Sequence, residues 1–299
     1  MNTICKIADI DIYLLYFLEI KTIFVLSTIT RDENELVSQQ DFFREMKLLR
    51  KGNSVNKTNI IDIASRYGYI SILDWMDKSV CKFMYDTAIE NAASKGHTNI
   101  LEWFHKSQYK FKYTHYAINY ASYNGYIEIL EWFDKSKNSY EFKYDRWAIN
   151  NASSNGHIEI LEWFDKSNCR GRPYEFKYDR WAINNASENG HINVLEWFDK
   201  SKYKFKYDHY AIDKASENGH IDVLEWFDKS NYEFKYSESA INNASLNRDV
   251  NILEWFDKSK YEFKYSNWII DHARKRNNIE VIEWFEKSKY GLRYNEGEK

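Results

Sequence analysis

The chain has 299 residues, with 42 Lys and Arg against 45 Asp and Glu. A net charge of −3 argues against a bulk nucleic-acid binder, because counterion release from DNA or RNA requires a broad basic face. Three cysteines, Cys5, Cys81 and Cys169, are odd in number and lack metal-like spacing, which reads as a reduced, cytoplasmic chain.

The first fifty residues differ in texture from the rest. Ile10, Leu14 and Leu18 recur every four residues, Ile23, Phe24, Leu26 and Ile29 make a second apolar face, and Leu36 and Phe42-Phe43 follow. Three short helices fit this spacing. Asp11, Glu19 and Lys21 interrupt the apolar run, so it is too polar to span a membrane. It also lacks the basic leader and small-residue cleavage site of a secretory signal. One reading is a helical cap that seals the exposed end of a repeat stack. The spacing also resembles the F-box: Asp9-Ile10, Leu14-Leu15, Leu18, Ile23-Phe24, Leu26-Ser27, Ile29, Arg31, Leu36 and Phe42-Phe43 fall in register without a gap. Ile7 stands at that module's proline and Glu33 at its mid-box tryptophan. The resemblance implies docking to the Skp-type adaptor of a cullin–RING ubiquitin ligase, through Leu14, Leu18, Ile23, Phe24 and Leu26.

From residue 57 to 290 the tract EILEWFDKS returns again and again. Its tryptophan falls at Trp75, Trp103, Trp132, Trp163, Trp197, Trp226, Trp255 and Trp284, mostly 29 residues apart. Such a period means stacked supersecondary units, none able to bury its apolar face alone. In the unit from Tyr178 to Lys206, Ala182, Ile183, Ala186 and Ser187 form one helix face, and Asn189-Gly190 ends that helix. Val194, Leu195 and Phe198 then stripe a second helix, and Tyr203 to Tyr207 alternate apolar and polar as an extended connector does. An alanine precedes the turn by four residues in all eight units, where a larger side chain would wedge the helices apart. The turn glycine becomes Arg248 and Asn277 in the last two units, which predicts a looser turn at the arginine. The marker tryptophans are expected in the core between units. His97, His157, His191 and His220, beside the glycines, are expected to hydrogen-bond at the start of the second helix.

The core A-S-x-N-G-H-I-x-V-L is similar to the ankyrin repeat and its A-A-x-x-G-H turn, in the short form found in paralogues of giant amoebal viruses. The unit is about four residues shorter than usual, and Trp-Ala-Ile-Asn replaces the Thr-Pro-Leu-His opening. The resemblance implies an all-α, ankyrin-like helix-turn-helix solenoid of about eight units, preceded by the segment 1–50 and followed by a polar tail, 291–299. A viral origin implies the host cytoplasm. By the same resemblance, residues at the start of each first helix face a concave groove. Arg146, Trp147, Arg180, Trp181, His209 and Tyr210 would then form a stripe that binds a protein target, and Arg, Trp and Tyr are the residues that dominate binding hot spots. The alternative for Trp147 and Trp181 is packing between units. Insertion of Asn168 to Pro173 lengthens one connector, either as a tolerated loop or as a projecting contact.

No nucleophile elbow, phosphate loop, dinucleotide fingerprint or zinc-type cluster is present in the sequence. The histidines recur once per unit rather than converging. The expectation is a non-enzymatic, monomeric interaction protein without a cofactor, with no nucleic acid or membrane among its partners.

Overall fold

A computed structural model describes residues 59–78, 85–137, 139–169 and 174–290. The F-box-like residues Leu14, Leu18, Ile23, Phe24 and Leu26, and the tail 291–299, lie outside the described residues.

The described residues form helices and extended connectors, with no strand among them. The helices are α1 (Asn59–Tyr67), α2 (Ile70–Lys78), α3 (Ala88–Ala93), α4 (Thr98–Lys106), α5 (Tyr116–Tyr123), α6 (Ile127–Lys135), α7 (Arg146–Ser154) and α8 (Ile158–Cys169). They continue as α9 (Trp181–Glu188), α10 (Ile192–Lys200), α11 (His209–Glu217), α12 (Ile221–Lys229), α13 (Ser239–Leu246), α14 (Val250–Lys258), α15 (Trp268–Lys275) and α16 (Ile279–Lys287). Two compact units divide the chain between Ala117 and Ile118. Each is an array of helix pairs, odd-numbered helices packing on odd and even on even.

The alanine rung explains why the odd-numbered helices approach more closely than the even ones. Ala152, Ala186, Ala215 and Ala244 have no exposed surface, and the serine after each donates its hydroxyl back to the carbonyl four residues earlier, at 2.8 Å. A buried hydroxyl is thus satisfied within its own helix, leaving only small groups at the contact. Closer spacing on one side makes the odd-numbered side the inner one within each unit. On the even helices, Leu195 and Val194 are fully buried, as are their counterparts Leu224 and Val223. Glu196–Lys200, Glu225–Lys229 and Glu254–Lys258 pair along the solvent side at i, i+4.

The turn between paired helices corrects two expectations. Gly125 takes φ +75°, and the N–H of Tyr126 returns to the Ala121 carbonyl at 2.9 Å, which closes the helix in a left-handed C-cap. Arg248 (φ 64°) and Asn277 (φ 52°) adopt the same left-handed backbone, and Asp249 N–H still bonds the Ala244 carbonyl at 3.0 Å. The turn at arginine is therefore no looser; the tertiary frame imposes the conformation on a residue that disfavours it.

The histidines, likewise, do not cap their own helices: His97, His191 and His220 make no side-chain bond to the helix they precede. His157 Nε2 lies 3.1 Å from the carbonyl of Tyr123, at the end of the odd helix one repeat back, while its Nδ1 lies 3.4 Å from Glu159 in the helix it precedes; His97 Nε2 lies 3.0 Å from the carbonyl of Arg66. A Cβ on Gly125 would sit 2.8 Å from the His157 ring. The glycine thus serves both a positive φ and the close approach of the next repeat. Burial lowers the pKa of His97 and His191, which keeps each imidazole neutral while it bonds a carbonyl.

The marker tryptophans also depart from expectation. Phe198, Phe227 and Phe256 fill the core, at no more than 1% exposed, whereas the adjacent Trp197, Trp226 and Trp255 are only half-buried. Each indole stacks with two connector rings. Phe205 lies 5.4 Å from Trp226 and 4.1 Å from Tyr232, all within 20° of parallel. The same trio recurs as Phe176, Trp197 and Tyr203, and as Phe234, Trp255 and Tyr261. The reason is periodicity: on a helix, neighbours in sequence diverge by about 100°, so Phe and Trp cannot both point to the same core. The indole instead faces the connector, which wraps the helix pair and secures the joint.

Candidate functional site

The inner side carries a polar ladder that positions the site. A polar residue near the start of the odd helices, two before the alanine rung, is buried and reaches the cap of the next: Glu90, Asn150, Asn184, Asp213 and Asn242. Asn150 Nδ2 donates to Asp179 Oδ1 at 2.9 Å, and Asn184 Nδ2 to Asp208 Oδ1 at 2.8 Å. The aspartates return a backbone N–H to the Asn oxygens at 3.3 Å. At two joints where the ladder residue is an acid, the cap is a hydroxyl: Asp213 accepts from Ser237 N–H and Oγ–H, and Glu90 accepts from Thr114. At these two joints no carboxylate faces a carboxylate, whereas the buried Asp62 accepts from the N–H groups of Asp86 and Thr87, and the Asp86 charge adds to the rise in its pKa. Burial raises the pKa of Asp213, partly offset by the Ser237 bonds.

Asp179 and Asp208 then do further work on the surface. Their Oδ1 atoms accept from Trp181 N–H and Tyr210 N–H at 3.0 Å, capping α9 and α11. Their Oδ2 atoms hold Arg146 Nε at 3.2 Å and Arg180 Nε at 3.1 Å. Each arginine is thereby fixed by the following repeat, with its side chain about 60% exposed. Among the described residues, Asp179 and Asp208 are the only ionic partners of these guanidinium groups, and both are engaged through Nε, which leaves the terminal amino groups without one.

The expected stripe is brought together on one side, with its members differently placed. Trp147 is 41% exposed, and Arg146 lies 6.0 Å from its ring centre. Trp181 is half-buried, its edge set against Tyr210 at 5.3 Å and its face covered by Arg180 at 5.5 Å. Tyr210 is half-buried under Lys214, and His209 is exposed. Trp181 therefore combines both readings offered by the sequence: it packs between repeats and lines the surface.

Connector lysines complete a groove that the sequence did not single out. Arg146, Arg180, Lys204, Lys206 and Lys235 line it beside Trp181, Phe205 and Tyr207, with Asp179 as its one lining carboxylate. Lys206 lies 4.2 Å over the Tyr178 ring and Lys235 4.9 Å over Tyr207. These tyrosines anchor successive connectors, Tyr178 donating to the Lys204 carbonyl and Tyr207 to that of Glu233. Burial, with Glu233 adding, pushes Tyr207 up to about 12, so its hydroxyl remains a donor. The available signal was Lys204, which stands where Glu141, Glu175, Glu233 and Glu262 stand in the other repeats of this unit.

No group of three metal-ligating side chains gathers among the described residues, and no helix among them is long and apolar enough to cross a membrane. The chain is a helical repeat protein, a build that works by presenting surfaces. No family model matches it, nor does any curated protein. Among solved structures, the pentatricopeptide repeat protein PPR10 from maize is similar over 78% of this chain and 39% of that one, at 13% identity and a TM-score of 0.38. This chain spans less than half the length of that protein.

Proposed function

We propose that the chain is a non-enzymatic interaction protein whose inner face binds a protein target. The observation that supports this reading is the held-out pair Arg146 and Arg180 beside the exposed Trp147, on a frame whose outer helices are covered by intrahelical ion pairs. Rigid aromatic and arginine side chains give large contact energy at small entropic cost. In the finer form, the ankyrin-like stack is the target-binding arm of a ubiquitin-ligase receptor. Leu14, Leu18, Ile23, Phe24 and Leu26 then engage a Skp-type adaptor.

Affinity capture from cell extract with the full chain tests both arms. Leu14→Asp with Leu26→Asp is expected to lose the adaptor and keep the target, while Trp147→Ser with Trp181→Ser loses the target and keeps the adaptor. A full chain that retains no adaptor leaves the first fifty residues as a cap and removes the ligase role. Retention of every captured protein by the tryptophan variant removes the binding role of the stripe.

A further inference from the structure

Three departures from the repeat pattern converge in one groove. In the unit from Ile118, the residue before the first-helix position held by Trp147, Trp181, Tyr210, Ser239 and Trp268 is Arg146, Arg180, His209, Glu238 and Asn267 in turn, so arginine occurs only in two successive repeats. Lys204, the reversal of a recurring glutamate, falls between them and the connector lysines Lys206 and Lys235. One repeat further on, the corresponding places hold Arg180, His209, Glu233, Lys235 and Lys264, so one arginine is lost and the charge at Lys204 is reversed. A chain of net charge −3 thus concentrates five cationic side chains against one lining carboxylate, with Asp208 and Glu233 pairing to Arg180 and Lys235 from beside the groove. Nothing in the packing calls for this, since the joints with glutamate at that place have the same ring stacks.

From this charge complementarity we infer that the groove binds an extended, acidic protein segment, rich in Asp and Glu. Its carboxylates pair with the terminal amino groups of Arg146 and Arg180, and with Lys204, Lys206 and Lys235. The aromatic rings distinguish this occupant from a single-stranded nucleic acid, which needs free ring faces on which bases stack. One face of each lining ring is already taken: Arg180 covers Trp181, Lys235 covers Tyr207, and Phe205 is stacked with Trp226 and Tyr232. What remains open is an array of fixed cations, two of them planar forks suited to carboxylates. The inference rests on the proposed role of this face in binding a protein.

The test is fluorescence anisotropy at low salt, with a labelled twelve-residue Glu/Asp peptide, its Gln/Asn counterpart, and an oligouridylate of equal length. The full chain is expected to bind the acidic peptide and not the neutral one, with affinity falling as salt rises. Lys204→Glu restores the residue found in neighbouring repeats, so it preserves the fold; it should weaken binding roughly tenfold, and Arg146→Gln with Arg180→Gln by more. Lys229→Glu, on the outer helix α12, should leave binding unchanged. Equal binding by Lys204→Glu and the wild type, or an equal loss with Lys229→Glu, overturns the proposal. Oligouridylate binding that depends on the groove, without peptide binding, assigns the face to nucleic acid instead. A captured protein retained undiminished by the Lys204→Glu and arginine variants sinks the acidic-segment proposal while protein binding stands. Loss of all capture by the stripe, with no peptide binding, sinks both.

Discussion

Replacing Gly125 by alanine tests the joint between repeats most directly. The residue sits at φ +75°, and the new Cβ would lie 2.8 Å from two atoms of the His157 ring. Left-handed backbone costs an L-residue roughly 1–2 kcal/mol, offset by roughly 0.4–1 kcal/mol from the less disordered unfolded chain. To clear the methyl group, the imidazole must move and loosen its 3.1 Å bond to the Tyr123 carbonyl, which adds about 1 kcal/mol. The expected net loss is about 2 kcal/mol. A repeat stack need not unfold in one step, so the proper measure is local: native-state hydrogen exchange of the α6 amides. His157→Ala in the same chain removes the steric part. The pair should then be less damaging than the sum of the single changes by about 1 kcal/mol, the coupling expected of residues in contact. A coupling indistinguishable from zero would refute the claim that the histidine ring occupies the space above the glycine.

The same geometry predicts that Arg248→Gly relieves left-handed strain and stabilises α13 and α14 by roughly 0.5–1 kcal/mol in a thermal or urea melt; a loss would mean that the arginine side chain stabilises the turn. In the buried ladder, Asn184→Asp sets a carboxylate against Asp208 and should cost about 3 kcal/mol, whereas Asp213→Asn faces Ser237 and should be neutral or stabilising at neutral pH; equal effects in urea melts would contradict the pairing rule. Phe198→Ala should cost roughly 3–5 kcal/mol and Trp197→Ala about 2, because only the phenylalanine is fully buried; the reverse order would restore the tryptophan to the core. Burial raises Asp62 to about 6, against the opposing pull of the Thr87 and Asp86 N–H bonds. A raised carboxyl pKa means that the folded state holds the proton more tightly. Its contribution is therefore full below about pH 4 and is lost as pH rises to about 6, an effect of roughly 2–3 kcal/mol. Asp62→Asn, which keeps the acceptor for Thr87 N–H at 3.1 Å, should flatten that dependence in exchange of the α1 amides; an unaltered profile would exclude Asp62 as its source.

How much of this was legible depended on whether a residue acts within its repeat or across to the next. The helix pairs, the alanine rung and the extended connectors follow from spacing inside one unit, and the structure has all three. The roles of His157, Asn184 and Trp197 are set by a partner 21 to 34 residues away, in the next or previous unit. A repeated sequence shows such residues without saying which neighbour each addresses. Periodicity also conceals direction: Trp197 and Phe198 are adjacent, and only the wrapping connector decides which one enters the core. Arg146 and Arg180 were legible because they break the pattern. Lys204 breaks it too, but in a connector, where alternation draws the eye to the apolar residues.

The pairing of ladder and cap explains why the groove lies where it does. Each aspartate cap beside the groove stands opposite an asparagine, at Asn150–Asp179 and Asn184–Asp208. Only an aspartate cap leaves a second oxygen to hold the preceding arginine, since Ser237 offers a single oxygen, already engaged with Asp213. Exchanging Asp208 for serine would therefore keep α11 capped and Asn184 bonded, as Ser266 does for Asn242, yet release Arg180 from its place. The consequence is separable from stability: melting should change by less than about 1 kcal/mol while binding at the groove weakens, because a freed arginine must be ordered again on contact. Loss of stability and binding in the same proportion would mean that the aspartate supports only the frame.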